Sequence, residues 1–386
     1  MSGIYIHIPF CKQACHYCDF HFSTSLKKKD ALLFALTKEL QLRKNELAGE
    51  TVTSLYFGGG TPSMLKVEEI RELIRTVYTH YKVAPDAEIT LEANPDDLNP
   101  EKIRQLAGTA INRLSIGIQS FAEAGLKLMN RAHTAGEAKK SLETASTYFN
   151  NISVDLIYGI PGMTPTQWQH NLETALSYPV SHIAAYALTV EPGTALAAFI
   201  KKGKVAPPDD GHARQQFFLL IERLEARNFI HYEVSNFGKE GFFSRHNSAY
   251  WQGKKYMGIG PSAHSYNGTQ RSWNIASNPL YIAALAQDKR PATTETLSPK
   301  DRYNEYIMTG LRTIWGVSLT EIERTYGAAY KDRLLQQAQK YIAEGLLSLN
   351  NEVDANGETH RILKTTGKGK FLSDGIASDL FLLHLQ

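Results

Sequence analysis

Three cysteines, Cys11, Cys15 and Cys18, stand within "CKQACHYC", and the chain contains no other. An odd number argues against a disulfide framework. Clustered thiols in a reducing compartment point to metal or redox chemistry. Structural zinc takes four protein ligands, so three thiolates would need His16, His21 or Asp19 to complete the set. Iron–sulfur clusters are also held by cysteine. With three thiolates on a four-iron cluster, one iron has no protein ligand, and an open position on a metal is where external ligands bind and chemistry occurs.

Other residue types with chemical reach lie downstream. "YFGGGTP" (56–62) is a glycine-rich stretch after an apolar run. Glycines there allow close backbone approach and leave N–H groups free to meet a carboxylate. Glu92, Gln119 and Asp155 each fall in or at the end of an expected strand, where a polar side chain can face a ligand. "RHNSAYW" (245–251) offers an imidazole, His246, and two flat aromatic surfaces, Tyr250 and Trp251. The plainer reading is that His246 and Asn247 cap a turn while the aromatics fill a core. His264 is a second imidazole, though a lone histidine is more often structural.

Repeated units must position these residues. Strands are expected at 3–8, 52–57, 87–93, 112–118, 152–158 and 181–188. Helices are expected at 27–49, 66–81, 100–108, 136–149 and 164–178. Six strands separated by helices imply a parallel α/β sheet. Six units fall short of a closed (β/α)8 barrel, so a partial (β/α)6 barrel is the economical reading and a doubly wound sheet its competitor. The cysteines follow the first strand, at the end where sites gather in such folds.

The pattern changes after "KKGKVAPPDD" (201–210), read as a connector. A helix over 211–229 precedes a segment, 231–275, rich in Gly, Asn, Ser and aromatics, which suggests short strands and loops. From 297 a set of helices leads to a hairpin signalled by "NG" at 356–357, a winged-helix-like α+β pattern. The expected units are 1–200 (barrel core), 201–290 (extension carrying the HNxxYW motif) and 291–386 (helical, winged-helix-like). The helix at 331–345 carries mixed charge (Lys331, Asp332, Arg333, Lys340, Glu344), so no nucleic acid is expected.

The 386 residues are 42% hydrophobic and 21% charged, with a formal net charge of +3. That composition suits folded cores and gives no whole-chain argument for an anionic partner. The N-terminus lacks a basic region and an apolar core, so it does not look like a signal peptide. No apolar run approaches the roughly 18 residues of a membrane span. The expectation is a soluble, cytoplasmic protein whose membrane contact, if any, is peripheral.

The cysteine motif CxxxCx(aromatic)C resembles the signature of the radical S-adenosylmethionine (SAM) superfamily. In that family the open iron of a [4Fe-4S] cluster chelates SAM, and an electron from the cluster cleaves the sulfonium to a 5′-deoxyadenosyl radical. "YIHIPFC", "FGGGTPS", "LEANP", "RLSIGIQSF", "NRAHTAGEA", "DLIYGIPG" and "YALTVEPGT" together resemble the coproporphyrinogen dehydrogenase and HemW group. Similarity continues through "SRHNSAYW" and "GIGPSAHSY", so it spans nearly the whole chain.

The resemblance implies that Cys11, Cys15 and Cys18 hold the cluster. It puts Tyr5 and Tyr17 near cluster and nucleoside, and Gly59, Gly60 and Thr61 at the methionine end of SAM. Glu92, Gln119, Arg131, Asp155 and Ala187 would contact the rest of the cofactor. "CDF" carries Phe20 where the dehydrogenase has a fourth cysteine, and the motif begins near Met1 without the dehydrogenase's preceding segment. Both features resemble the haem-chaperone branch, whose HNxxYW motif is matched by His246, Asn247, Tyr250 and Trp251. That branch implies haem as cargo, an electron donor and acceptor haemoproteins. The alternatives are oxygen-independent oxidation of coproporphyrinogen III, by decarboxylating propionates to vinyls, and a zinc-bound DNA-binding regulator. Oligomeric state is left open.

Overall fold

The computed structural model describes all residues except Met1, Ala48, 354–356 and 383–386. The first half runs β1 (Ser2–Ile8), α1 (Lys29–Leu42), β2 (Val52–Gly59), α2 (Val67–His80), β3 (Val83–Ala93) and α3 (Pro100–Ala107). It continues with β4 (Arg113–Gln119), α4 (Glu123–Leu128), α5 (Ala135–Ala145), β5 (Ile152–Tyr158), α6 (Pro165–Leu176) and β6 (His182–Ala187). Strands β1 to β6 lie side by side in chain order, each parallel to the next. A doubly wound sheet reverses its strand order at a switch point. An unreversed order with right-handed crossovers puts the helices on one face and curls the sheet toward a barrel, so the partial barrel holds and the doubly wound alternative falls.

The segment after β6 extends this sheet at both edges. It comprises α7 (Ala195–Lys201), α8 (Asp210–Glu225), β7 (Ile230–Glu233), β8 (Asn236–Gly238) and α9 (Arg245–Trp251). Then come β9 (Tyr256–Ile259), β10 (His264–Tyr266), β11 (Gln270–Asn274), α10 (Asn278–Leu285) and β12 (Ala292–Thr296). Strand β8 pairs antiparallel with β6, whereas β9 joins β1 in parallel and leads on to antiparallel β10, β11 and β12. The expected short strands are present, but their place in the main sheet was not anticipated.

The helix expected over 27–49 ends at Leu42. Beyond it, buried Arg43 pairs with Glu39 at 2.9 Å and donates to the Gly258 carbonyl at 2.6 Å. This long-range anchor turns the chain against β9.

Period-two alternation divides each barrel strand. Ile4, Ile6, Ile8, Leu55, Phe57, Leu91, Ile116 and Val154 join the apolar core. The opposite face carries Tyr5, Ser54, Tyr56, Glu88, Glu92, Arg113, Ser115 and Asp155. Strands buried on both faces of an ordinary parallel sheet read as continuous apolar runs. Here the face opposite the core is polar, so the alternation leaves the lumen lined by side chains that can hydrogen-bond.

The last unit holds α11 (Pro299–Leu311), β13 (Val317–Ser318), α12 (Leu319–Tyr326), α13 (Ala328–Ala343), β14 (Leu347–Val353), β15 (Thr359–Thr365) and α14 (Ser373–Asp379). Its sheet runs β13-β15-β14 and has its own core, including Tyr303, Ile307, Leu334 and Leu363. The expected hairpin strands pair from Leu347↔Thr365 to Val353↔Thr359; Asn356 of the expected turn lies outside the described residues. The unit docks on β7 through Ile314 N–H to the Tyr232 carbonyl and Val234 N–H to the Arg312 carbonyl, both 3.0 Å.

Candidate functional site

The loop after β1 carries the cysteines over the C-terminal ends of β2 to β5. There they share a small cavity, about 150 Å³, with Tyr17, Gly59, Gly60, Thr61, Glu92, Gln119, Arg131 and Asp155. The Thr61 hydroxyl lies 3.6 Å from Cys11 Sγ, and Arg131 Nη1 donates to Cys15 Sγ at 3.3 Å. Burial pushes the Cys11 thiol up to about 11, opposed by the Thr61 hydrogen bond and reinforced by Cys18 and Cys15. Burial raises Cys18 as well.

The histidines weighed as a fourth zinc ligand are engaged elsewhere. His16 Nδ1 meets the Leu128 carbonyl at 2.8 Å, and His21 Nε2 meets Asn278 Oδ1 at 2.8 Å. Among the described residues no group of three or more His, Cys, Asp or Glu side chains is arranged to hold a single metal ion. Thiolates of a cluster bind different irons and need not converge on one point.

The glycine stretch serves packing more than ligand capture. Gly59 N–H donates to Glu92 Oε2 at 3.2 Å, Gly60 N–H to the Ile8 carbonyl at 2.9 Å, and Thr61 N–H to the Phe10 carbonyl at 2.6 Å. The expectation that these N–H groups are free to hold a ligand carboxylate is therefore not met. Gly59 has φ +104°, and a Cβ there would stand 2.4 Å from the His7 ring. Glycine lets the end of β2 lie flush against the cysteine loop.

Two half-buried carboxyls, Glu92 and Asp155, line the cavity without an ion-pair partner among the described residues. Burial raises Glu92 to about 7, with the Tyr56 hydroxyl at 2.7 Å pulling the other way. Burial raises Asp155 to about 6 against hydrogen bonds from Ser115 and Ser153. Half-buried acids without an ion-pair partner favour a cationic occupant. Arg131 Nη2 is held by Asn94 Oδ1 at 2.7 Å and the Gly117 carbonyl at 2.9 Å, while its buried Nε has no partner. Gln119 sits at φ +62°, where β4 shifts register against β5. Backbone strain of this kind clusters at ligand sites.

This small cavity meets a larger one, about 910 Å³, at Phe20, Gly59 and Glu92. His246, Asn247, Tyr250 and Trp251 all line the larger space, together with Tyr5, His7, Tyr56, Tyr186 and His264. The HNxxYW residues form α9, so the spacing i, i+1, i+4, i+5 puts all four on one side of a two-turn helix. Ser244 accepts from Asn247 N–H as its N-cap. Buried Glu88 of β3 accepts from the Arg245 and His246 N–H groups at 3.0 and 3.2 Å, a favourable place for a carboxylate.

His246 Nδ1 meets Ser54 Oγ at 2.9 Å, and its ring stacks on Tyr56 with centroids 5.0 Å apart. Burial lowers His246 to about 4, with Arg113 adding to the effect. The imidazole is neutral at pH 7, as a metal ligand must be. Arg312, from the end of α11, lies over the Trp251 ring at 5.0 Å.

Most residues singled out in the sequence are thus brought into two adjoining cavities. Tyr5 lines the larger rather than the smaller. Ala187, paired with Tyr158 at the end of β6, lines neither. Sequence reasoning missed Asn94, although "LEANP" had been noted, and it missed Ser115 and Tyr186, whose signal was polarity alternating along a strand.

Comparison with known proteins accords with this geometry. Residues 5–175 match the Radical SAM superfamily and residues 297–353 the HemN C-terminal domain. The chain is 36% identical over 384 residues to a Mycobacterium tuberculosis protein named "Heme chaperone HemW", covering 98% of this chain and 94% of that one. It is 35% identical over 356 residues to the Bacillus subtilis protein of the same name, covering 91% and 94%. The structure of Escherichia coli coproporphyrinogen III oxidase (HemN), described as a radical SAM enzyme, superposes with a TM-score of 0.82 at 22% identity. It covers 98% of this chain and 90% of its own, a likeness of fold. The chain belongs to the radical SAM superfamily and, within it, to the family of proteins named heme chaperone HemW.

Proposed function

We propose that this protein binds haem and delivers it to acceptor haemoproteins, using a lumen that also holds a [4Fe-4S] cluster and SAM. One observation carries the reading: the three-thiol pocket with its unpaired carboxyls opens directly onto a cavity walled by His246, Tyr250 and Trp251.

The residues present suit these groups. Cys11, Cys15 and Cys18 supply three thiolates, leaving one iron for SAM. Glu92 and Asp155 offer negative charge for a sulfonium and its ribose hydroxyls. Arg131, fixed by Asn94 and Gly117 through Nη2, keeps its unpartnered Nε–H for a carboxylate, with Tyr17, Thr61 and Gln119 completing the wall. When bound, the cluster supplies electron transfer to SAM. On the cargo side, neutral His246 offers a ligand for haem iron. Tyr250 and Trp251 cover a porphyrin face and exclude water.

A second reading, oxidation of a porphyrinogen side chain, is favoured by the same opening between cavities, since a substrate seated in the larger one would adjoin SAM. One experiment separates the two. Anaerobically reconstituted protein is titrated with haem, followed at the Soret band, and then mixed with an apo-haemoprotein. The same sample is assayed with coproporphyrinogen III, SAM and a reductant. Stoichiometric haem uptake and transfer without protoporphyrinogen is the expected result. Product formation with negligible haem affinity replaces the proposal with the second reading.

A further inference from the structure

A third cavity, about 710 Å³, lies at the seam between the barrel extension and the C-terminal unit. Its walls are aromatic, including Tyr250, Trp251, Tyr256, Tyr266, Trp315 and Tyr326. It shares Tyr250, Trp251 and Tyr256 with the larger lumen cavity, so a flat ligand lying along α9 touches both spaces.

Its charges are unbalanced. Lys254, Arg271, Arg302 and Glu305 line it. Glu305 is engaged by Arg271, which also reaches Glu295 at 3.6 Å. Arg302 has no ion pair among the described residues, and its buried Nε has no hydrogen-bond partner. A guanidinium donor buried without a partner is costly unless an anion or ordered water meets it. An aromatic slot with one unpaired arginine and a lysine beside it suits a planar conjugated ring bearing carboxylates on one edge.

We propose that this seam cavity takes the propionate edge of the porphyrin, with Arg302 binding one carboxylate. The proposal rests on the haem-binding reading and deepens it. The ring then runs along Tyr250 and Trp251, with its metal on the His246 side. Because Arg302 belongs to α11, cargo binding would bridge the barrel and the C-terminal unit.

The test compares haem with its dimethyl ester, which keeps ring and iron but lacks both carboxylates. Each is titrated into the full-length wild-type protein, Arg302→Gln and Arg302→Lys. Wild type should prefer haem by about tenfold, the worth of a charge-assisted hydrogen bond. Arg302→Gln should bind haem no better than the ester while binding the ester as wild type does. Arg302→Lys should keep most of the preference, which separates charge loss from a packing defect. Equal wild-type affinity for haem and ester, or an undiminished preference in Arg302→Gln, overturns the assignment while the haem reading stands. Failure of wild type to bind either ligand overturns the haem reading itself.

Discussion

The small pocket at the strand ends and the large lumen cavity adjoin, yet they are built by opposite means. The pocket comes from short runs of chain, each at the C-terminal end of a successive strand, and its chemistry is thiol, carboxyl and guanidinium. The cavity is assembled from Tyr5, Tyr56, Tyr186, His246 and Arg312, which come from three strands of the main sheet, α9 and the last unit. Its chemistry is mostly aromatic. A repeated βα unit delivers one site by stacking local motifs in order. A broad apolar site for a large planar ligand needs surfaces from distant chain, because no single strand or helix presents enough flat area.

If the two regions are separable, removing one should spare the other. Cys15→Ala should abolish nearly all iron–sulfur absorbance and bound sulfide while leaving the haem Soret titration close to wild type. An intact cluster in that variant means that the ligand set is wrong. Gly59 stands where the two spaces meet. Gly59→Ala forces a side chain into φ +104° against the His7 ring and should cost on the order of 3 kcal/mol in denaturant unfolding. A neutral result would show that β2 need not lie flush on the cysteine loop.

His246→Ala should weaken haem binding by about tenfold and alter the Soret position, with cluster content unchanged. A coupled loss of cluster would break the separation from the other side. The smallest effect concerns pH. Glu92 and Asp155 are raised to about 7 and about 6, so both are ionised at pH 8 and increasingly protonated below 7. A cationic ligand prefers the ionised forms. SAM affinity by calorimetry should therefore fall several-fold between pH 8 and pH 6, with cluster absorbance monitored alongside. Haem affinity should vary less, since His246 titrates near 4. A flat SAM profile would remove these carboxyls from the ligand's environment.

The pocket was readable in advance because its residues are marked by local spacing. Cysteines at intervals of four and three, glycines after a strand and polar residues at strand ends are all short-range patterns. The glycines nonetheless misled in one respect. The Gly59 and Gly60 N–H groups go to the Glu92 carboxylate and the Ile8 carbonyl, a partnership fixed by how closely β2 meets the first loop. "HNSAYW" was visible as a motif but not as a helix, since two turns give too short a period to register. Nor could the parallel docking of β9 on β1 be read, because four-residue strands carry little pattern of their own.

The sequence by itself determined the clustering of the three thiols, the succession of βα units and the hairpin-bearing end, since each follows from periodicity or spacing within some thirty residues. Only the tertiary structure decided that His246 meets Ser54, 192 positions away, and that Glu88 caps α9 from β3. The meeting of Arg302 and Trp251 around one seam was likewise decided there. Those contacts depend on which strand edge remains open for later chain to join. That is a property of the assembled sheet rather than of any local stretch.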